Sequence, residues 1–203
     1  FPAQLQDAIS SYAYMLHNLQ LPASRIVVSG DSSGGHLALA LLRYISEFDD
    51  ETLLPAPRCM LFWSPWCNVP EARTPQTWKQ NQNYKTEFVP SSFPQWGARS
   101  FLGGLEISGT VEKYVVPLHH PFSLPSPVLV VTGSNEVLFE EHKALATRFE
   151  KFVGNEKSVE LVISEGTPHD VLMIAWLLGF KKEAKECAQR AGSFVKAAKR
   201  SEA

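Results

Sequence analysis

The chain has 203 residues, of which 44% are hydrophobic and 20% charged, a composition that excludes fibrous and disordered proteins and suits one ordinary domain with its own core. Its formal net charge of -2 provides no overall field for nucleic acid or an anionic membrane, so neither is expected as a partner. Three cysteines are too few and too widely spaced for a disulfide framework or a zinc site, and we expect them to be reduced packing residues.

The predicted elements begin with an amphipathic helix over residues 4–19, where apolar side chains recur at three- and four-residue steps. Strands alternating with helices follow along the chain. The strands are predicted at 25–29, 58–63, 127–132 and 158–163, and the helices at 35–48, 140–152, directly after His169 and at 181–199. This alternation predicts an α/β fold, a mostly parallel sheet with helices on both faces.

Between about residues 70 and 125 the alternation breaks, and aromatic residues stand among prolines and glycines. The segment is too long for an ordinary loop. We therefore predict a small helical cap inserted into a single domain spanning residues 1–203, with helices at 92–102 and 111–114.

The turn Gly30-Asp31-Ser32-Ser33-Gly34 joins the first strand to the second helix and has the pattern Gly-x-Ser-x-Gly. So sharp a turn forces its central residue into a strained conformation, and glycines two positions to either side remove collisions. Ser32 is then exposed above the sheet as a candidate nucleophile, the Ser33 amide is a candidate oxyanion donor, and Asp31 is a hydrogen-bonded neighbour. A phosphate loop is the alternative, but the turn lacks a Gly-Lys-Ser/Thr ending.

A serine nucleophile needs a base, and His169 is the candidate because it follows the strand 158–163 and so falls at the same sheet edge as Ser32. The remaining histidines are expected to be surface or packing residues, with His36 helping to shape the turn. Besides His36, they are His17, His119, His120 and His142.

The candidate acid is Glu136, the first carboxylate after the strand 127–132. Glu140 and Glu141 lie farther along, where solvation of a helix N-terminus is the expected role. The chain order serine, acid, histidine is that of the α/β-hydrolase triad.

These motifs resemble the hormone-sensitive-lipase-like branch of the α/β-hydrolases, a carboxylesterase and lipase branch, and the resemblance extends from residue 1 to the final helix. The matching pieces are Phe1-Pro2-Ala3, Gly30 to Ala38, Ser64-Pro65-Trp66, Pro127 to Glu136 and Gly166 to His169. The resemblance implies hydrolysis of short or medium acyl esters without a metal or organic cofactor. By the same resemblance, Ser32 is the nucleophile, His169 the base and Glu136 the orienting acid.

The chain departs from that branch at two points. Glu136 stands where the family usually has aspartate, and neither the upstream His-Gly-Gly-Gly segment nor the early flanking strands are present. Because the chain starts at Phe1 without a methionine, we expect it to be processed or truncated at the N-terminus. By the resemblance, the missing glycine segment supplies most of the oxyanion hole, so we expect its loss to cripple hydrolysis by this chain alone. The strand edge at 26–28 is then expected to be covered by an N-terminal fragment of the same protein or by a second copy, as an exposed edge invites aggregation.

An apolar pocket is expected over Ser32, with Trp66, Phe88, Trp96 and Leu138 as candidate lining residues, each of which could instead be ordinary core packing. The sequence thus predicts a serine hydrolase acting on a small apolar ester, without a membrane span and with a cytoplasmic location. Two alternatives stay open: a non-hydrolytic small-molecule binding protein on the same fold, and an acid-base lyase or cyclase that uses His169.

Overall fold

Four parallel strands form the sheet of this protein, which a computed structural model describes for residues 1–48 and 52–198. The strands are β1 (Val27–Asp31), β2 (Cys59–Trp63), β3 (Val128–Gly133) and β4 (Val159–Ser164). They lie in the order β1-β2-β3-β4, and every neighbouring pair is parallel. The carboxyl ends of all four strands therefore meet at one edge, where open α/β sheets bind ligands.

The helices in chain order are α1 (Ala3–His17), α2 (Ser32–Phe48), α3 (Pro75–Gln80), α4 (Ser92–Leu102), α5 (Gly109–Val115), α6 (Phe139–Glu150), α7 (Val171–Leu178) and α8 (Lys181–Ala197). Within the described ranges, none of them combines the length and the apolar character required to cross a lipid bilayer.

The central strands β2 and β3 are buried along their whole length, and their alternate side chains build two separate cores. On one face, strand side chains pack against α2 and α6; this core includes Met60, Phe62, Val128, Val130, Leu39, Leu42, Leu145 and Phe149. On the other face, they pack against α7 and α8; this core includes Leu61, Trp63, Leu129, Val131, Val171, Cys187 and Ala191. The predicted parallel sheet with helices on both faces is confirmed, since neighbouring strand residues point to opposite faces.

The cysteines Cys59, Cys67 and Cys187 are all free and buried, as the sequence predicts. Burial raises the pKa of each thiol, most strongly at Cys67, which keeps these groups in the neutral form of a packing residue.

The main difference from the predicted elements lies at the first strand. It was expected at 25–29 with a helix from 35, whereas β1 occupies Val27–Asp31 and α2 begins at Ser32. Ser32, with a positive φ of 48°, makes the change of direction without an intervening loop. Most other boundaries shift by one or two residues, and the predicted end of the last helix at Lys199 lies outside the described residues.

The segment between β2 and β3 contains short helices, as expected from its broken pattern. Helix α4 has the predicted bounds, α5 is longer than the predicted 111–114, and α3 was not predicted because six residues carry too little periodicity. Ala98 and Leu102 of α4 pack on Val69 and Ala72. We propose that residues 70–125 form a cap on a single domain, since α4 lies beside the carboxyl edge of the sheet.

Strands β1 and β4 lie at the two edges of the described sheet. Along β1 the residues are partly buried or, at Ser29 and Asp31, exposed, in contrast to the fully buried β2. That another segment or a second copy covers the edge of β1 stays a prediction.

Candidate active site

The turn between β1 and α2 leaves no space for a side chain at two of its glycines. A Cβ atom at Gly30 would lie 2.3 Å from the carbonyl oxygen of Gly34, and one at Gly35 would lie 2.9 Å from Cβ of Pro65. At Gly34 a Cβ would meet only a carboxylate oxygen of Asp31, at 3.9 Å. The prediction that Gly34 relieves a collision is therefore wrong, because the second close approach occurs at Gly35.

Ser32 is held in the strained conformation that its place in the turn predicts. Its φ of 48° is left-handed, a state that costs a non-glycine residue about 1–3 kcal/mol, and its carbonyl oxygen accepts a hydrogen bond of 2.9 Å from the Trp66 amide. The amide of Ser33 lies in the first turn of α2, where amides lack helical partners and the helix dipole is positive. The turn can thus stabilise negative charge beside the hydroxyl of Ser32.

Glu136 is fully buried in the loop between β3 and α6, with hydrogen-bond donors around its carboxylate. Oε1 accepts from the Thr132 hydroxyl at 2.5 Å, from the Gly133 amide at 2.7 Å and from the Ser64 hydroxyl at 3.0 Å. Oε2 lies 2.8 Å from Nδ1 of His169. These contacts hold the carboxylate in one orientation, facing the imidazole.

The surroundings of Glu136 keep it ionised. Burial by itself raises the pKa of this carboxyl, but the charge and hydrogen bonding of His142 and the hydrogen bond and charge of His169 outweigh burial. The pKa of Glu136 is therefore held well below its usual range.

His169 lies between β4 and α7 and is 7% exposed. Because a carboxylate only accepts hydrogen bonds, Nδ1 carries the proton that is donated to Glu136, and the lone pair is on Nε2. Burial lowers the pKa of His169, but the hydrogen bond and charge of Glu136 and the charges of Glu87 and Asp170 outweigh this and raise the pKa. The ring thus has the tautomer and basicity suited to a general base.

Ser64 links the acid to the histidine loop, a role that sequence reasoning missed. It follows β2 with a φ of 44°, and its hydroxyl donates to Glu136 and accepts from the Asp170 amide, both at 3.0 Å. The available signal was a polar residue directly after a fully apolar strand.

Two residues assigned to other roles also lie in or near this network. His142, expected on the surface or in packing, is fully buried with Nδ1 3.3 Å from Oε1 of Glu136, so the expectation missed its electrostatic partner. Glu141, expected to be solvated, is mostly shielded, and burial with the charges of Glu71 and Glu136 raises its pKa to about 8.

A cavity of about 500 Å³ opens over Ser32, Ser33 and His169. Each of the predicted lining residues, Trp66, Phe88, Trp96 and Leu138, contributes to its wall. Trp78 and Phe93, aromatic residues of the predicted cap, line it as well, and sequence reasoning missed Met173. The structure thus brings the candidate nucleophile and base to one apolar cavity, and substrate binding by its walls stays a prediction.

A carboxylate of Glu87 joins Glu136 and His169 in a cluster whose facing atoms lie within 4.8 Å of one another, close enough to surround a divalent cation. The atoms that would bind a metal ion already take part in hydrogen bonds. Glu136 bonds to His169, and Glu87 accepts from the amides of Phe88, Val89 and Val137. We therefore assign these side chains to the hydrogen-bond network and not to a metal site.

A serine on a strained strand-to-helix turn, a carboxylate after a later strand and a histidine after the last, all at one edge of a parallel sheet, define an α/β hydrolase. The sequence profile of the family described as alpha/beta hydrolase fold matches residues 1–173, and the chain belongs to this family.

Two curated relatives are similar over much of the chain. An acetyl-hydrolase from Streptomyces hygroscopicus is 28% identical over 145 residues, which are 71% of this chain and 45% of the relative. The esterase LipU from Mycobacterium tuberculosis is 27% identical over 199 residues, 96% of this chain and 61% of LipU.

Solved structures of esterases are also similar to this chain. An esterase from the bacterial hormone-sensitive lipase family superposes with a TM-score of 0.77 at 27% identity, covering 96% of this chain and 60% of that one. An esterase/lipase from an uncultured bacterium gives 0.76 at 26% identity, covering 98% and 61%. The predicted resemblance to the hormone-sensitive-lipase-like branch is confirmed, and the chain spans about half to three fifths of these relatives' length.

Proposed function

We propose that this chain carries the catalytic groups of a serine esterase that hydrolyses carboxylic esters with short to medium acyl groups. The observation that carries the proposal is the 2.8 Å hydrogen bond between Nδ1 of His169 and Oε2 of Glu136, beside a cavity that Ser32 also lines. This bond leaves the lone pair of the imidazole on Nε2, the nitrogen that a general base uses in a triad. The esterase and acetyl-hydrolase names of the relatives support the same reaction.

In this mechanism Nε2 of His169 takes the proton of the Ser32 hydroxyl while the serine oxygen attacks the ester carbonyl carbon. The negative charge that develops on the carbonyl oxygen faces the amide of Ser33 at the start of α2. The protonated imidazole, stabilised by Glu136, then gives its proton to the departing alkoxide. In the second half His169 activates water, which releases the carboxylic acid and restores the Ser32 hydroxyl.

The cavity supports an apolar substrate of limited size. Its volume of about 500 Å³ and its aromatic walls, including Trp66, Phe88 and Trp96, suit short or medium acyl and alcohol groups. Charged groups on the substrate would lose hydration against these aromatic walls.

A fluorophosphonate probe tests the assignment, because it forms a covalent adduct only with an activated serine. We expect one adduct per chain, located by mass spectrometry on Ser32 and lost in Ser32→Ala. Ser10→Ala is the matched control, since Ser10 is an exposed residue of α1 outside the turn. This variant should be labelled on Ser32 at the wild-type rate.

Turnover is tested separately with a p-nitrophenyl ester series of increasing acyl length. We expect release of p-nitrophenol from the short esters by the whole protein and none above background from its Ser32→Ala variant. Binding of the probe without an adduct, or equal turnover by wild type and Ser32→Ala, would refute the esterase and leave a binding or acid-base role for the cavity.

A further inference from the structure

We propose that His142 is a positioning residue that carries protons on both ring nitrogens and holds the buried carboxylate of Glu136 from the side opposite His169. This inference rests on the proposed function, in which Glu136 is the acid that orients His169. Its evidence is the pattern of hydrogen-bond donors and acceptors around the ring, which is independent of any reaction.

The first proton of His142 is assigned by the backbone. Nε2 lies 2.7 Å from the carbonyl oxygen of Pro65, which accepts hydrogen bonds and has none to give. Nε2 must therefore be an N–H donor. A neutral ring would then have its lone pair on Nδ1.

The second proton follows from Thr132. Its hydroxyl oxygen is 2.8 Å from Nδ1 of His142 and 2.5 Å from Oε1 of Glu136, and it has a single hydrogen for the two contacts. If that hydrogen points to Glu136, the hydroxyl oxygen must accept from an N–H at Nδ1. His142 is then an imidazolium.

Two other proton arrangements fit the contacts less well. If Thr132 donates to a neutral His142, its oxygen and Oε1 of Glu136 face each other at 2.5 Å with no hydrogen between them. If Glu136 carries the proton instead, Oε1 must still face the Gly133 amide at 2.7 Å and the Ser64 hydroxyl at 3.0 Å, both donors. An ionised Glu136 with a doubly protonated His142 satisfies every contact.

Burial makes this pairing effective. The side chains of His142 and Glu136 are both completely buried, and Nδ1 lies 3.3 Å from Oε1. In such surroundings an unpaired carboxylate is strongly unfavourable. The imidazolium of His142 therefore keeps Glu136 ionised even while His169 is neutral. The negative charge that His169 experiences is correspondingly reduced.

The titratable groups around His142 come from several elements. Glu136 lies on the loop after β3, with His169 beyond it on the loop after β4; Glu141 is the neighbour on α6, and the Cys67 thiol follows β2. Glu141 and Cys67 have raised pKa values and are neutral near neutral pH, so Glu136 is the anion that faces the ring.

The direct test observes the ring in the wild-type protein. With ¹⁵N-labelled histidine, NMR at neutral pH should show both nitrogens of His142 protonated. The signals are assigned by their loss in His142→Asn. An unprotonated Nδ1 at neutral pH would overturn the proposal whether or not the protein hydrolyses esters, and absence of a Ser32 adduct would refute the esterase without changing this result.

The functional test is the variant His142→Asn, whose side-chain amide can still donate to Thr132 but carries no charge. Loss of the positive charge should raise the pKa of His169, because Glu136 then acts on it unopposed. We expect the acidic limb of the fluorophosphonate labelling profile to move up by about one pH unit, a fall of about 10-fold in rate at acidic pH with little change at alkaline pH. A uniform fall at all pH values would indicate a purely structural role and overturn the proposal.

Discussion

Gly133, the last residue of β3, sets the distance between the acid loop and the histidine loop, and Gly133→Ala tests whether that distance controls the site. A Cβ atom there would lie 2.3 Å from the carbonyl oxygen of Thr167 and 2.5 Å from that of Pro168. Both obstacles are backbone atoms, so no side chain can rotate away. Ordinary contact begins near 3.4 Å, so the loop must move by about 1 Å.

That movement occurs directly before His169. A misplacement of about 1 Å in a catalytic group lowers rates by about 100-fold, and overpacking destabilises a protein by about 1–3 kcal/mol. We therefore expect Gly133→Ala to label with fluorophosphonate about 100-fold more slowly and to unfold at lower urea concentration. Labelling is measured well below the unfolding transition, so that the loss of rate reports the position of His169 in folded protein.

The matched control is Gly192→Ala in α8, where an added Cβ meets no atom within 4 Å. Alanine is favoured over glycine inside a helix by about 0.5–1 kcal/mol, so this variant should be slightly stabilised and label at the wild-type rate. If Gly133→Ala instead labels within about threefold of wild type, the contact between these loops does not position the histidine, and the reasoning is refuted.

The remaining predictions concern the polar network and buried charge. Ser64→Ala should lower the free energy of unfolding by about 1–3 kcal/mol, because the Asp170 amide loses its partner, and should slow labelling; an unchanged rate would show that the link to Glu136 is dispensable. Burial lowers the pKa of His36 to about 4 from 6.5, so the folded protein binds fewer protons than the unfolded chain in that window, and stability is lost as the pH falls through it. Urea unfolding at about pH 7 and about pH 4 should show about 3 kcal/mol more loss in wild type than in His36→Gln, and equal losses would contradict the assignment. Burial raises the pKa of Glu141 from 4.5 to about 8, so stability is lost as the pH rises through this window. Glu141→Gln should therefore raise the melting temperature more at alkaline than at acidic pH, and an equal gain at both would contradict this assignment.

The parts of the fold that sequence patterns predicted are those with strong local signals. The apolar runs that became β2 and β3 have no polar residue until their carboxyl ends, so both strands and the polar positions after them could be located. The same rule placed Glu136 and His169 at one edge. It also applied to Ser64, whose contribution was missed because a serine after a strand has many roles.

What could not be predicted depends on packing between distant segments. Helix α6 turns His142 inward behind Glu136, although a lone histidine four residues into a helix has the pattern of a surface residue. The need for glycine at Gly35 comes from Pro65, about thirty residues later, and no local pattern reports it. Such contacts arise only when the strands lie in their final order.

The acid of this site is held by the sheet itself, which gives the longer side chain of glutamate a physical role. Oε1 of Glu136 is anchored to the ends of two neighbouring strands, by Ser64 after β2 and by Thr132 and Gly133 in β3. With one oxygen anchored in this way, the other oxygen reaches His169 at 2.8 Å. An aspartate has one methylene fewer, so it could keep either the anchors or the imidazole contact at these distances, but not both without movement of the loop. The network therefore explains why a glutamate can orient the histidine here. The residues that favour glutamate over aspartate at this position are the three that anchor Oε1, namely Ser64, Thr132 and Gly133.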